Sequence, residues 1–372
     1  MKRISALFSA GLLVLISVVY SCGQHTSSSD DSAIKIGVIM PLTGEGANWG
    51  ENAKNAIELA VKEIDKSKTR YKYKFIYEDS KTDANTAVSA FKKLVSVDNV
   101  KYCIVDMISS DVLAIAPIAN QKKVLILSPG ASNPKITDAG DYVFRNWPSD
   151  ALQGEVDANV AESKLKWKNI AILKINNDYG NGLANIFNKT LTNGAKVVSD
   201  ESYEKGALDF RTQLLKIKNA KPDGIYVLAY PEELPTIFKQ IRELHLTQPL
   251  LGTETFESQQ LLTTVGHLAD GSYYTFPQAP DSTSERVKNF RTNYKAMFGK
   301  PWGTPGDAAY DAVYLYVNAI EQQGNDVEKI KQAFYNIKNY PGVSGTLSID
   351  KNGDAIKTFD LKQIKNQTFI KL

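Results

Sequence analysis

Residues 34–50 read Ile34-Lys35-Ile36-Gly37-Val38-Ile39-Met40-Pro41-Leu42-Thr43-Gly44-Glu45-Gly46-Ala47-Asn48-Trp49-Gly50. An apolar run stops at a proline and opens into a glycine-rich polar loop. It then enters a segment, 48–65, whose Ala53, Ala56, Ile57, Ala60, Val61 and Ile64 fall on one helical stripe. A buried strand, a loop and an amphipathic helix are the first half of a β-α-β unit. The alternation continues with a half-exposed strand at 71–77 and a helix at 82–97 that turns Ala87, Val88, Phe91, Leu94 and Val95 inward. A strand at 102–105, a helix at 111–120 and a strand at 124–127 follow. Such a series calls for a parallel sheet wrapped by right-handed crossovers.

The same rhythm restarts after Asp150. Helices at 152–165, 182–191, 210–217 and 233–244 alternate with strands at 170–173, 195–199, 225–229, 250–251 and 271–276. Three helices follow, at 284–298, 307–322 and 327–337. Residues 345–359 predict a hairpin turning at Lys351-Asn352-Gly353-Asp354. The expected fold class is α/β, with two doubly wound parallel-sheet lobes joined by a three-strand hinge. Lobe 1 takes 34–147 and 277–358, and lobe 2 takes 148–276 and 359–372. A mature chain of roughly 350 residues suits two cores better than one. The hinge crossings are expected near 146–150, 276–278 and 357–360.

The N-terminus sets the compartment. Lys2 and Arg3 precede an apolar run, 4–19, and then Tyr20-Ser21-Cys22. The run, about 16 residues, is shorter than the roughly 20 of a spanning helix, so 1–21 reads as a signal peptide. A small residue before Cys22 resembles a bacterial lipobox, which would make Cys22 the lipidation site, 22–33 a flexible tether and the protein exported and held to the cell envelope through lipid alone. Removing 1–21 takes two of the 44 basic residues (Lys2 and Arg3) and none of the 41 acidic ones, leaving a net charge of +1. No basic stripe remains for nucleic acid. Cys103 then has no intrachain partner, and His25, His245 and His267 lie too far apart in sequence to suggest a metal site.

Ligands of doubly wound sheets bind beyond the carboxyl ends of the strands, so the loops that follow the strands are the candidate site. They carry Trp49, Met107, Ser109, Gly130, Ser132, Tyr179, Tyr230 and Glu254. Hydroxyls and amides at helix starts can hold a carboxylate, as Ser109, Gly130 and Ser132 would. Glu254 can hold an ammonium, and the aromatic residues with Met107 can wall a side-chain pocket. The set suits a small zwitterion. Gly44, Gly46 and Gly50 form G-x-G-x-x-x-G, one residue longer than a dinucleotide fingerprint, and no cofactor is expected. The loops hold no nucleophile–base pair and no paired carboxylates, so enzyme chemistry is not expected.

Together these segments resemble the leucine/isoleucine/valine-binding protein family, the amino-acid-binding branch of the type I periplasmic binding proteins. The carriers are the strand and loop through Asn48-Trp49-Gly50, and Ser128-Pro129-Gly130-Ala131-Ser132-Asn133-Pro134 with Ser132 where the family has threonine. Asp178-Tyr179-Gly180-Asn181-Gly182, Tyr230-Pro231-Glu232 and Gly252-Thr253-Glu254 complete the match from residue 34 to the C-terminal hairpin. The resemblance implies that Ser109, Gly130 and Ser132 take the ligand's α-carboxylate and ammonium from lobe 1. Tyr230 and Glu254 would complete the ammonium site from lobe 2, and Trp49, Met107 and Tyr179 would line the pocket. It further implies a monomer that closes on a free α-amino acid, branched-chain by preference, and hands it to an ABC transporter permease. A sensor reporting to a receptor or kinase is the alternative. The lobe 1 disulfide common in the family is missing. The segment 302–307 departs from the family pattern and leaves the far wall of the pocket unassigned.

Overall fold

The computed structural model describes residues 32–372 apart from Asp106 and Asn193. The expected signal peptide, Cys22 and most of the tether lie outside the described residues. Residues Ile34–Leu372 form one compact unit. Its first part runs β1 (Ile34–Met40), α1 (Ala47–Asp65), β2 (Tyr73–Asp79), α2 (Ala84–Ser96), β3 (Tyr102–Val105), α3 (Ser109–Lys122), β4 (Leu125–Ser128) and β5 (Val143–Arg145). These strands make a parallel sheet in the order β2-β1-β3-β4-β5.

The second part runs α4 (Asp150–Asn159), continued by a π-helical turn at Val160–Lys164, β6 (Asn169–Ile175), α5 (Asp178–Thr190), β7 (Lys196–Tyr203) and α6 (Arg211–Ala220). It goes on through β8 (Gly224–Leu228), α7 (Leu234–Glu243), β9 (Leu250–Gly252), α8 (Gln259–Val265) and β10 (Tyr273–Pro277). Its parallel strands are ordered β7-β6-β8-β9-β10, the same second-first-third-fourth-fifth order as in the first sheet. The chain then returns to the first lobe as α9 (Glu285–Phe298), α10 (Gly306–Gln323), α11 (Val327–Tyr335), β11 (Tyr340–Gly342), β12 (Gly345–Ile349) and β13 (Ala355–Ile356). It ends as β14 (Phe359–Lys365) and β15 (Thr368–Lys371), and β14 adds antiparallel to β10 in the second sheet.

The two lobes repeat one packing device. Gly50 sits in the first turns of α1, where a Cβ would lie 2.1 Å from the carbonyl oxygen of Pro41. In α5 a Cβ on Gly180 would lie 2.2 Å from the carbonyl oxygen of Ile175. In each lobe the helix after the first strand therefore approaches the strand's exit through a glycine. The residue before that glycine, Trp49 or Tyr179, is held at the strand's carboxyl end. The three crossings between lobes run side by side. Gln278 N–H donates to the Thr358 carbonyl at 2.8 Å, and Pro148 bridges to Ala355.

Several elements differ from their sequence reading. Helix α3 starts at Ser109 rather than 111, and β7 extends to Tyr203 rather than 199. β5 was not expected at all, because three residues carry no period. The hairpin turns through Asp350–Asp354 as expected, but its second arm is only two residues long before the chain leaves for β14.

Arg145, fully buried at the end of β5, ties the hairpin turn to the first sheet. Its Nε donates to Asp354 Oδ1 at 2.7 Å, Nη1 to the Asn133 carbonyl at 3.0 Å and Nη2 to Thr137 Oγ1 at 2.9 Å. Removing one partner of a buried ion pair leaves the other charge stranded. Arg145→Met should therefore cost about 3 kcal/mol of stability in urea denaturation; a loss under about 1 kcal/mol would show that the hairpin is held elsewhere.

Candidate functional site

The loops at the carboxyl ends of both sheets face each other. From lobe 1, Ser109 occupies the first turn of α3. Its Oγ accepts the backbone N–H groups of Ser132 at 3.3 Å and Asn133 at 3.2 Å, which fixes the loop after β4. From lobe 2, Asn177 caps α5 by accepting the Gly180 N–H at 3.0 Å, and its Nδ2 donates to the Tyr230 hydroxyl at 2.8 Å. Tyr179 and Thr253 hydroxyls lie 2.9 Å apart. Tyr230 stands between two rings. Trp49 meets it edge-on at 5.2 Å between centroids, and Tyr179 stacks on it at 5.8 Å. These geometries suit aromatic pairs and lock the cluster across the cleft.

A narrow space opens beside this cluster, lined by Trp49, Met107, Gly130 and Glu254 together with Trp147, Thr304 and Pro305. A wider channel leads outward past Trp49 and Glu254, walled by Pro231, Thr255, Lys300 and Trp302. Of the eight residues expected from sequence, four line the space. Ser109, Ser132, Tyr179 and Tyr230 do not line it. The two serines build the loop that carries Gly130, and the two tyrosines back Trp49.

Five further residues belong to the site and were not singled out. Trp147 follows β5, the strand too short to read. Thr304 and Pro305 belong to the segment that departs from the family pattern. Asp150 and Gln153 lie on the first turns of α4, where they read as helix-start residues. Asp150 is completely buried, its N–H donating to the Ser132 carbonyl at 2.7 Å. Neither of its carboxylate oxygens makes a hydrogen bond of normal geometry, although the Ser132 hydroxyl lies close enough to act on it.

The electrostatics are those of a site with too much negative charge for its contents. Burial raises the Glu254 carboxyl above its ordinary range, opposed by the Gln153 amide that donates to Oε2 at 3.0 Å. Burial and the neighbouring Glu254 push Asp150 well above its range, with Ser132 and Arg145 pulling back. Deeper in lobe 2, burial raises Asp157 to about 7 against hydrogen bonds from Thr275 and Tyr226. Among the described residues no ion pair reaches Glu254 or Asp150, and no cluster of His, Cys, Asp or Glu is arranged to hold a metal.

The lobes also touch directly. Asn48 N–H, in the first turn of α1, donates across the cleft to Glu232 Oε1 at 3.0 Å. Lys205 pairs with Glu45 at 3.4 Å and donates to the Thr82 carbonyl. Lys135 pairs with Asp178 at 3.1 Å.

Comparison with known proteins agrees with this architecture. The periplasmic binding protein family profile matches residues 33–368. A leucine-, isoleucine-, valine-, threonine- and alanine-binding protein of Pseudomonas aeruginosa is 28% identical over 96% of this chain and 94% of its own length. The structure of a leucine-binding protein from Thermotoga maritima superposes with a TM-score of 0.85 at 29% identity, covering 91% of this chain and 98% of that one. The branched-chain amino acid transporter substrate-binding protein of Streptococcus pneumoniae, solved in complex with isoleucine, gives 0.83 at 26% identity over 91% and 99%. The fold is that of a type I periplasmic binding protein, with parallel sheets in two lobes.

The raised carboxyl of Asp157 has a stability consequence. The unfolded chain loses this proton near the ordinary value of 3.8 and the folded chain near 7. Between those values the folded state holds the extra proton, so its stability falls as pH rises. Asp157→Asn should flatten the decline in melting temperature of the ligand-free protein between pH 5 and 7.5. An unchanged slope would mean that Asp157 titrates alike in both states.

Proposed function

The chain belongs to the periplasmic binding protein family, whose members bind solutes and are not enzymes, and from that premise we propose that it captures a free α-amino acid, branched aliphatic by preference, and delivers it to an ABC importer. The observation that carries this reading is Glu254: a buried carboxylate with no cationic partner among the described residues, beside a small space whose walls include Trp49, Met107, Trp147 and Pro305. An ammonium supplies the missing charge. The amides and hydroxyls around Ser109, Gly130 and Ser132 receive the α-carboxylate, and the apolar wall takes an uncharged side chain. Relatives named for leucine, isoleucine and valine binding support the same ligand class.

In this reading the ligand docks first on lobe 1, which comprises 34–147 and 277–358. Lobe 2, 148–276 and 359–372, then swings in about the three crossings and adds Tyr230 and Glu254. Hinge closure of this kind is driven by whatever contacts the ligand makes only in the closed form. The work takes place outside the cytoplasm, with the monomeric protein held to the envelope by lipid on Cys22 and presented to a membrane permease.

A thermal-shift screen over the twenty amino acids should show leucine, isoleucine and valine raising the melting temperature. Stabilisation by none of the three would overturn the ligand assignment. In calorimetry, Glu254→Ala should weaken leucine binding by about 3 kcal/mol, roughly a hundredfold; unchanged affinity would remove Glu254 from the site. Cys22→Ala should shift the protein from the membrane to the soluble fraction of its host, and a variant that still sediments with membranes would refute the lipid anchor.

A further inference from the structure

Beneath Glu254 runs a chain of buried hydrogen bonds whose directions follow once Asp157 is ionised. Tyr226 on β8 then donates its hydroxyl proton to Asp157 Oδ2 at 2.5 Å, and Thr275 on β10 donates to Oδ1 at 2.6 Å. Thr275 has one proton, and the Asp157 carboxylate takes it. Its oxygen therefore faces Gln153 as an acceptor, and the amide of Gln153 must present Nε2, at 3.1 Å. That settles which way the amide is turned. The other Nε2 proton points at Glu254 Oε2, 3.0 Å away. Had the amide been reversed, its carbonyl would face the carboxylate and repel it.

We propose that Gln153 is a positioning residue for ligand recognition, its amide turned by the Tyr226–Asp157–Thr275 chain so that Glu254 is held aimed and ionised to receive a ligand ammonium. The inference rests on the reading that Glu254 binds that ammonium. Every member of the chain belongs to lobe 2: Gln153 and Asp157 to α4, Tyr226 and Thr275 to its sheet, and Glu254 to the turn after β9. The arrangement therefore exists before the lobes close, and the ligand meets a preorganised carboxylate. Gln153 and Asp157 are separated by one helical turn on the face of α4 that packs on the sheet, which is why one helix can carry both the amide and the acid that orients it. The other groups acting on Glu254 and its surroundings are Thr253, which lowers its carboxyl, and Asp150 and Tyr179, which share its field, with Arg145 acting on Asp150.

The test is calorimetric titration with L-leucine, and with its 2-hydroxy analogue, which keeps the carboxylate and side chain but has no ammonium. Both are measured from pH 4 to 8 on wild type, Gln153→Met, Thr275→Val and Glu254→Gln. A hydrogen bond to a charged group predicts that Gln153→Met weakens leucine on the order of tenfold. The acid limb of the leucine profile should move to higher pH, because Glu254 without its donor is protonated earlier on the way down. Affinity for the hydroxy acid should stay within about twofold, since it gains little from Glu254. Thr275→Val leaves Gln153 in place but frees its amide to turn, so it should act in the same direction and more weakly; it also carries the test if the methionine variant does not fold. Equal losses for both ligands would reduce Gln153 to general packing and overturn the proposal. So would a wild-type leucine profile in Gln153→Met and Thr275→Val while Glu254→Gln binds poorly. If Glu254→Gln itself binds leucine normally, the ammonium reading fails, and that failure is told apart by the variant in which it occurs.

Discussion

A carboxylate removed from water without a counter-charge costs several kcal/mol, and the closed cleft of this protein holds two, Glu254 and Asp150. Hydrogen bonds from Gln153 and the nearness of Ser132 and Arg145 offset part of that cost. None of them neutralises the charge at the mouth of the binding space. The empty closed form is therefore held at a disadvantage by its own chemistry. On the proposed reading an ammonium removes the disadvantage, so the same group that recognises the ligand makes closure conditional on it. A ligand shifts a conformational balance only by its differential affinity for the two forms, and here much of that difference is the charge it brings.

The fold is arranged to bring those groups together. Each lobe repeats one sheet order, so each presents the same set of strand ends, and the two sets face one another across the crossings. The repetition reaches single residues. Trp49 and Tyr179 occupy matching places, one before Gly50 and the other before Gly180, and both helices close on the preceding strand exit through those glycines. Tyr230, packed between the two rings, joins the halves of the repeat. The buried Arg145 does comparable work next to a crossing, where it holds the hairpin turn against the end of β5.

Much of this was legible in the sequence because helices and long strands are local patterns. The stripe of α1 and the apolar run of β1 are each contained in one stretch of chain, and the alternation of such stretches fixes a parallel topology. What stayed hidden depends on distant partners. β5 is three residues long and exists because β4 lies beside it, so Trp147, which follows it and lines the binding space, gave no signal. Asp150 and Gln153 look like ordinary residues at a helix start. Their meaning comes from Ser132 across the crossing and, more than a hundred residues away, from Thr275 on β10 and Glu254 in the turn after β9. Ser109 also has a local task that its sequence position does not reveal: its Oγ accepts the backbone N–H groups of Ser132 and Asn133, which holds a shelf of backbone amides in shape.

The direct contacts between lobes bear on whether closure needs a ligand at all. Two of them, Lys135 with Asp178 and Lys205 with Glu45, are ion pairs whose lysines keep 73% and 37% of their side-chain surface exposed. Exposed pairs of this kind contribute about 0–1 kcal/mol each and are screened by salt. The contact from Asn48 to Glu232 is better sheltered, but burial raises the Glu232 carboxyl to about 7, so much of what the hydrogen bond contributes is spent on desolvation. The edge-on contact of Trp49 with Tyr230 adds roughly 0.5–1.5 kcal/mol beyond its buried area. These terms favour closure modestly, while the burial of Glu254 and Asp150 without a cation opposes it. The contacts between lobes thus set the register in which the halves meet, and the decision to stay closed is left to the charge that occupies the space beside Glu254.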